Sequence, residues 1–234
     1  MTDRSVPTGI SAMVTIASLT WTRLWRGRAL WVSVAISLLP VMFAVVHRRL
    51  GMPPPPRDLF VFETMILVLL APMFVASSIG EEIEDRTTTY LWSRPVPRWA
   101  VVAGKLCTLV PVTFALLLGS FTVALRAADA GAPSMLGVVA LAAGTLAISL
   151  VAAAIATLAP KHGMALAIAF LLVDLPLGAL PATLQELSVT HQIRALSNLW
   201  DLGRGSATSG AIGLTVLALV WGGIAALRIR RLEA

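Results

Sequence analysis

The chemistry-bearing residues of this chain crowd into one segment, residues 80–98. Four of the twelve acids, Glu81, Glu82, Glu84 and Asp85, fall within five positions. Arg86 follows, then Thr87, Thr88, Thr89 and Tyr90, and then the run Arg94-Pro95-Val96-Pro97-Arg98. A helix beginning near Gly80 would set the acids in its first turn, where the helix dipole favours them. Glu82 and Arg86 stand four apart, in the better order for a helical ion pair. The threonines are weak helix formers, and Pro95 and Pro97 stop a helix and hold the chain extended. The plain reading is a solvated charged loop. The sharper one is a compact charged knob that a partner grips through ion pairs.

Three more ionisable residues fall inside apolar runs, where burying them is costly. Glu63 and Asp174 each lie toward the outer end of a run, and Lys105 lies near an inner boundary. In the bland reading Lys105 reaches the headgroups and Glu63 meets Arg57. In the functional reading Glu63 and Asp174 line an outward vestibule on a substrate path. Catalytic signatures are missing. Gly104-Lys105-Leu106 lacks the preceding glycine and following hydroxyl of a P-loop, and neither H-E-x-x-H nor G-x-S-x-G occurs. His47, His162 and His191 are scattered across loops, and Cys107 is alone, so no metal site and no internal disulfide is expected.

The elements that position these residues follow from composition. The chain has 234 residues, 57% hydrophobic and only 13% charged, with a mean hydropathy of +0.85. Soluble domains carry roughly 25% charged residues, so lipid must be the solvent for much of this surface. Six apolar runs have helical length: 29–46, 59–79, 99–125, 136–158, 164–180 and 211–227. The third would reach about 40 Å against a hydrocarbon core of about 30 Å, so one end stands in water. The expected fold is all-α: one polytopic transmembrane domain over 1–234 with six spans. Residues 10–26 carry Ile10, Met13, Val14, Ala17, Trp21, Leu24 and Trp25 at spacings of three and four, which predicts an amphipathic helix in the membrane interface. The long run that follows has no small-x-small cleavage site, so it reads as a span and not a cleaved leader. Residues 181–210 are too polar to span and predict short helices on or dipping into the outer leaflet.

The net charge of +6 would suggest nucleic acid in a soluble protein. Here the bases follow the membrane topology instead, and no nucleic-acid partner is expected. With the N-terminus inside, the inner segments hold Arg4, Arg23, Arg26, Arg28, Arg86, Arg94, Arg98, Lys105, Lys161, Arg228, Arg230 and Arg231. The outer segments hold half as many: Arg48, Arg49, Arg57, Arg126, Arg194 and Arg204. Both termini are therefore expected in the cytoplasm, with the Arg48-Arg49 pair dissenting.

The segment from Glu81 through Lys105 resembles the intracellular loop of type 2 ABC exporter permeases. Glu81-Glu82, Thr87, Leu91-Trp92, Arg94-Pro95-Val96-Pro97-Arg98 and Gly104-Lys105 carry the likeness. The family usually has glycine before the threonine, and this chain has Arg86, which lets a helix run on through the threonines. The resemblance implies that in the loop 80–98 the stretch Glu81 to Tyr90 forms a coupling helix in a cleft of a cytoplasmic ATPase, with Glu81, Glu82, Glu84, Asp85, Arg86, Thr87, Tyr90, Arg94 and Arg98 as contacts. Lys105 would be an interface or structural residue. ATP and Mg would be bound by the ATPase, not by this chain. The resemblance further implies two ATPase copies, a second permease copy, lipid as surroundings, the bacterial inner membrane and export of an unnamed substrate. Rival readings are a secondary carrier or channel, which would need more membrane-depth charges or paired broken helices, and an intramembrane enzyme.

Overall fold

The computed structural model describes residues 9–84, 98–178, 183–200 and 206–231. Among them every regular element is helical. α1 (Gly9–Arg26) precedes α2 (Arg28–Ser37) and α3 (Leu39–Arg49), and α4 (Pro56–Glu84) and α5 (Arg98–Ala127) flank the charged segment. α6 (Met135–Leu158), α7 (Gly163–Leu177), the short α8 (Val189–Ser197) and α9 (Ser206–Arg231) complete the chain. Short 3-10 turns lie at Pro160–His162 and Thr183–Leu187. Six helical stretches are long and apolar enough to cross a membrane, taking α2 and α3 together.

The expected runs and the helices agree within a few residues, except in the first span. There the chain breaks into α2 and α3 at Leu38. Pro40 has no N–H to give to the carbonyl four residues back, so the ladder cannot run through. Beside the break the buried Ser37 carbonyl accepts the hydroxyl of Ser120 from α5. Pro72 and Pro111 stand inside α4 and α5, which nevertheless continue as single helices. At 30 residues α5 is about 45 Å long.

α4 and α6 form the centre: 72% and 61% of their spanning windows are buried by protein, against 17% for α9. α6 packs on α4, α5, α7, α8 and α9, while α1 lies along α5. Most of the core is one cluster joining α3 through α9, with Phe60, Leu67, Leu117, Phe121, Leu141 and Ile148 fully enclosed. A second cluster at the other end gathers Leu24, Leu30, Phe74, Ile79, Leu109 and Ala152 from α1, α2, α4, α5 and α6.

Caps follow local chemistry. Ser134 accepts from Gly137 N at 3.0 Å at the start of α6, and Ser188 accepts from His191 N at 3.1 Å at the start of α8. Between α5 and α6 the chain turns through Asp129 and Gly131, both at positive φ. Arg48 reaches this turn, pairing with Asp129 at 2.6 Å and donating to the Ala127 carbonyl at 3.2 Å. Arg48, which dissents from the charge count, thus has a local partner, and it satisfies a carbonyl at the end of α5.

Candidate functional site

The acids of the charged segment do not begin a new helix. α4 runs unbroken through Gly80 to Glu84, so Glu81, Glu82 and Glu84 occupy its last turn. The expected helix start near Gly80 is thereby corrected. These acids continue α4 instead of opening a helix of their own. Gly80 has another purpose: a Cβ there would sit 2.9 Å from the Pro160 carbonyl oxygen, and only glycine lets the link between α6 and α7 lie this close to α4. Arg98 is the first residue of α5. Asp85, Arg86, Thr87, Tyr90 and Arg94 lie outside the described residues.

The start of α5 fastens its neighbours on two sides. The buried Lys105 donates its ammonium to the Ser78 carbonyl of α4. One residue earlier, Gly104 faces α1, where a Cβ would stand 2.7 Å from the Met13 carbonyl oxygen. One turn on, the Thr108 hydroxyl donates to the Ala17 carbonyl of α1 at 3.1 Å. Gly104, Lys105 and Thr108 therefore hold α1 and α4 against one stretch of α5. These ties lie where α4 leaves for, and α5 returns from, the charged segment. Ser78, Thr108, Met13 and Ala17 carry no sequence signal for this role, because three of the contacts are to backbone atoms.

The two carboxylates toward the other end differ sharply. Asp174 is buried, and its two oxygens accept the α8 amides of Val189 at 3.2 Å and Thr190 at 2.8 Å. Its own carbonyl accepts the hydroxyls of Ser188 and Thr190. Asp174 thus supplies a carboxylate to the N-terminus of α8, where the dipole favours one. Burial lowers the proton affinity of Arg194 on α8, and the charge of Asp174 partly offsets this. Glu63 is fully enclosed, with neither oxygen in a hydrogen bond among the described residues. The Ser120 hydroxyl stands beside its carboxyl and donates to the Ser37 carbonyl. The expected Glu63–Arg57 pair does not form. Six residues place them about 120° apart around α4 and more than a turn and a half along it, and the exposed Arg57 meets Asp58 at 3.3 Å instead. No hydrogen bond or ion pair joins Glu63 to Asp174 among the described residues.

α8 also departs from the expectation of a helix lying at the outer leaflet. Seven of its nine residues are buried by protein between α6 and α9. Glycine permits this insertion: a Cβ at Gly144 would stand 2.6 Å from the Ile193 side chain, and one at Gly210 would stand 2.5 Å from the Leu196 backbone nitrogen.

A bundle of six membrane-length helices, with a charged excursion fastened to its foot, defines a multi-pass membrane protein that serves as the membrane subunit of a transporter. Residues 59–182, more than half of the chain, match the family described as ABC-2 family transporter protein. The chain belongs to that family of ABC transporter permeases, whose members work with an ABC ATPase. No curated protein matches it.

Proposed function

We propose that this chain is the permease of an ATP-driven exporter in the bacterial inner membrane, moved by an ATPase docked on residues 80–98. The observation that carries this reading is the fastening at the start of α5. Glu81, Glu82 and Glu84 end α4, Arg98 begins α5, and Lys105 ties the two helices together a short distance inside. α1 is held to the same stretch by Gly104 and Thr108. A push on the segment then tilts α1, α4 and α5 as one body instead of bending a loop, and rigid-body movement is how such a displacement reaches a distant site. A basic cleft on the partner accounts for the cluster of acids.

In this reading both termini are cytoplasmic, α1 lies in the inner interface, and the working unit is two permease copies with two ATPases that bind ATP and Mg. Glu63, enclosed and unpartnered here, meets the substrate path when the bundle opens, while Asp174 holds α8 in place. Reversing Glu81, Glu82 and Asp85 together to Lys tests the docking. Like charges set against a basic cleft cost several kcal/mol, whereas single exposed pairs are worth roughly 0–1 kcal/mol. The triple variant inserts and folds but loses its ATPase on purification, or keeps it with hydrolysis uncoupled from transport. A triple variant that binds the ATPase and transports like wild type refutes this docking site.

A further inference from the structure

Glu63 stands on α4 with Phe60 and Leu67 one turn to either side on the same face, and all three are 0% exposed. Phe60 packs edge to face on Phe121 of α5 and on Trp200. Protein therefore surrounds the carboxyl, and neither of its oxygens has a hydrogen-bond partner among the described residues. The elements packed on α4 bring it no compensating charge. α6 has no ionisable side chain. On α3 the His47 ring meets the Phe43 carbonyl at 3.0 Å, Arg48 pairs with Asp129, and Arg49 is exposed. On α5 Arg126 is exposed at one end, while Arg98 and Lys105 lie at the other. Asp174 of α7 accepts the α8 amides, with the charge of Arg194 nearby. Arg28 of α2, and Lys161 and His162 in the turn before α7, are exposed. On α4 itself Arg57 pairs with Asp58. No ion pair among the described residues reaches Glu63.

A carboxylate enclosed with neither a cation nor a donor is among the costliest states a side chain can hold, and such a group gives up its charge instead. The hydroxyl beside it points the same way. Ser120 spends its hydrogen on the Ser37 carbonyl, next to the break between α2 and α3, so only the lone pairs of its oxygen are left for Glu63. Lone pairs repel a carboxylate and accept from a carboxylic acid. We propose that Glu63 is a proton-binding site, and that in this packing its side chain is the neutral carboxylic acid. Asp174 has two amides to accept and needs no proton. When water reaches Glu63 the O–H bond breaks, the proton passes to water and the carboxylate stays behind. Opening this level of the bundle therefore releases one proton per chain. The binding of the proton follows from the packing alone. Only the exposure of Glu63 during transport rests on the transport reading.

The test uses the purified full chain in detergent, without ATPase or transport, so a failed docking reading leaves it intact. Infrared spectra are taken at about pH 8, where carboxyls in water are ionised. Wild type shows the carbonyl stretch of a carboxylic acid, moved to lower frequency in D2O. Glu63→Gln loses that band, and Asp174→Asn keeps it. Unfolding in unbuffered dodecyl sulfate with a pH-indicator dye then releases about one proton more per chain from wild type than from Glu63→Gln. If Glu63→Gln is not recovered folded, Glu63→Leu takes its place, and the wild-type band by itself still decides whether an acid is present. Absence of the band in wild type would overturn the proposal, since Glu63 would then be ionised, whether paired with Arg204, outside the described residues, or with another cation. A band that survives Glu63→Gln would put the proton on a different carboxyl and overturn it too. A band seen in choline chloride but abolished by sodium chloride would make this a metal-cation site and overturn the assignment to a proton.

Discussion

Asp174→Asn separates a structural carboxylate from one that touches substrate. In the native protein each Asp174 oxygen accepts one α8 amide, Val189 at 3.2 Å and Thr190 at 2.8 Å, and the residue is 4% exposed. Asparagine keeps the shape but has one acceptor oxygen. Its NH2 group must then face the second amide, and a buried donor left unmade costs about 1–3 kcal/mol. Removing the negative charge from the α8 N-terminus costs up to about 1 kcal/mol more. The sum is about 1–4 kcal/mol, felt locally because Ser188 still caps His191. A local loss of about 2 kcal/mol raises the opening constant of α8 about 30-fold. Hydrogen exchange of the protein in detergent reads this directly. For such a loss the peptide containing Val189 and Thr190 exchanges about 30-fold faster in the variant, while peptides from α4 and α6 exchange as in wild type. Unchanged protection at α8 would refute the reasoning. If transport were lost with that protection intact, Asp174 would belong to the substrate path after all.

Further outcomes follow from the same geometry. Gly104→Val drives a branched side chain against the Met13 carbonyl, 2.7 Å from where its Cβ must sit. Overpacking of about 1–3 kcal/mol loosens α1, seen as faster tryptic cleavage after Arg23 and Arg26, and transport per ATP hydrolysed falls; unchanged cleavage and coupling would count against the fastening. Glu63→Leu removes an enclosed carboxyl that has no hydrogen bond among the described residues. The melting temperature of the purified permease is therefore held or raised while transport falls, since replacing an unsatisfied buried polar group by an apolar one is neutral or stabilising; a clear drop in melting temperature would mean that Glu63 is structural. With Cys107 replaced by Ser, cysteines at Ser5 and Glu233 resist impermeant thiol reagents in intact cells, and labelling from outside would reverse the orientation.

Hydropathy by itself determined the class of this protein. Runs of 17 to 27 residues rich in apolar side chains have one low-energy solution in lipid, a helix that satisfies its own backbone, so the six spans were readable without any tertiary information. The spacing of apolar residues also gave α1, and the likeness of residues 81–105 gave the family that residues 59–182 match. Three features were decided only by packing. Nothing local in Gly80 ends α4, because a glycine within a helix costs only about 1 kcal/mol and close packing with Pro160 offsets it. The polarity of 189–197 reads as a surface helix, yet α8 is buried because Asp174, Ser188 and Gln192 satisfy polar groups inside the bundle and Gly144 and Gly210 leave room for it. Carboxylates that look alike in sequence part company for the same reason. Asp174 faces the free amides of α8 and Glu63 faces a hydroxyl already in use, and which neighbour an inward-pointing side chain meets is set by how distant segments pack, a property that no stretch of sequence carries on its own.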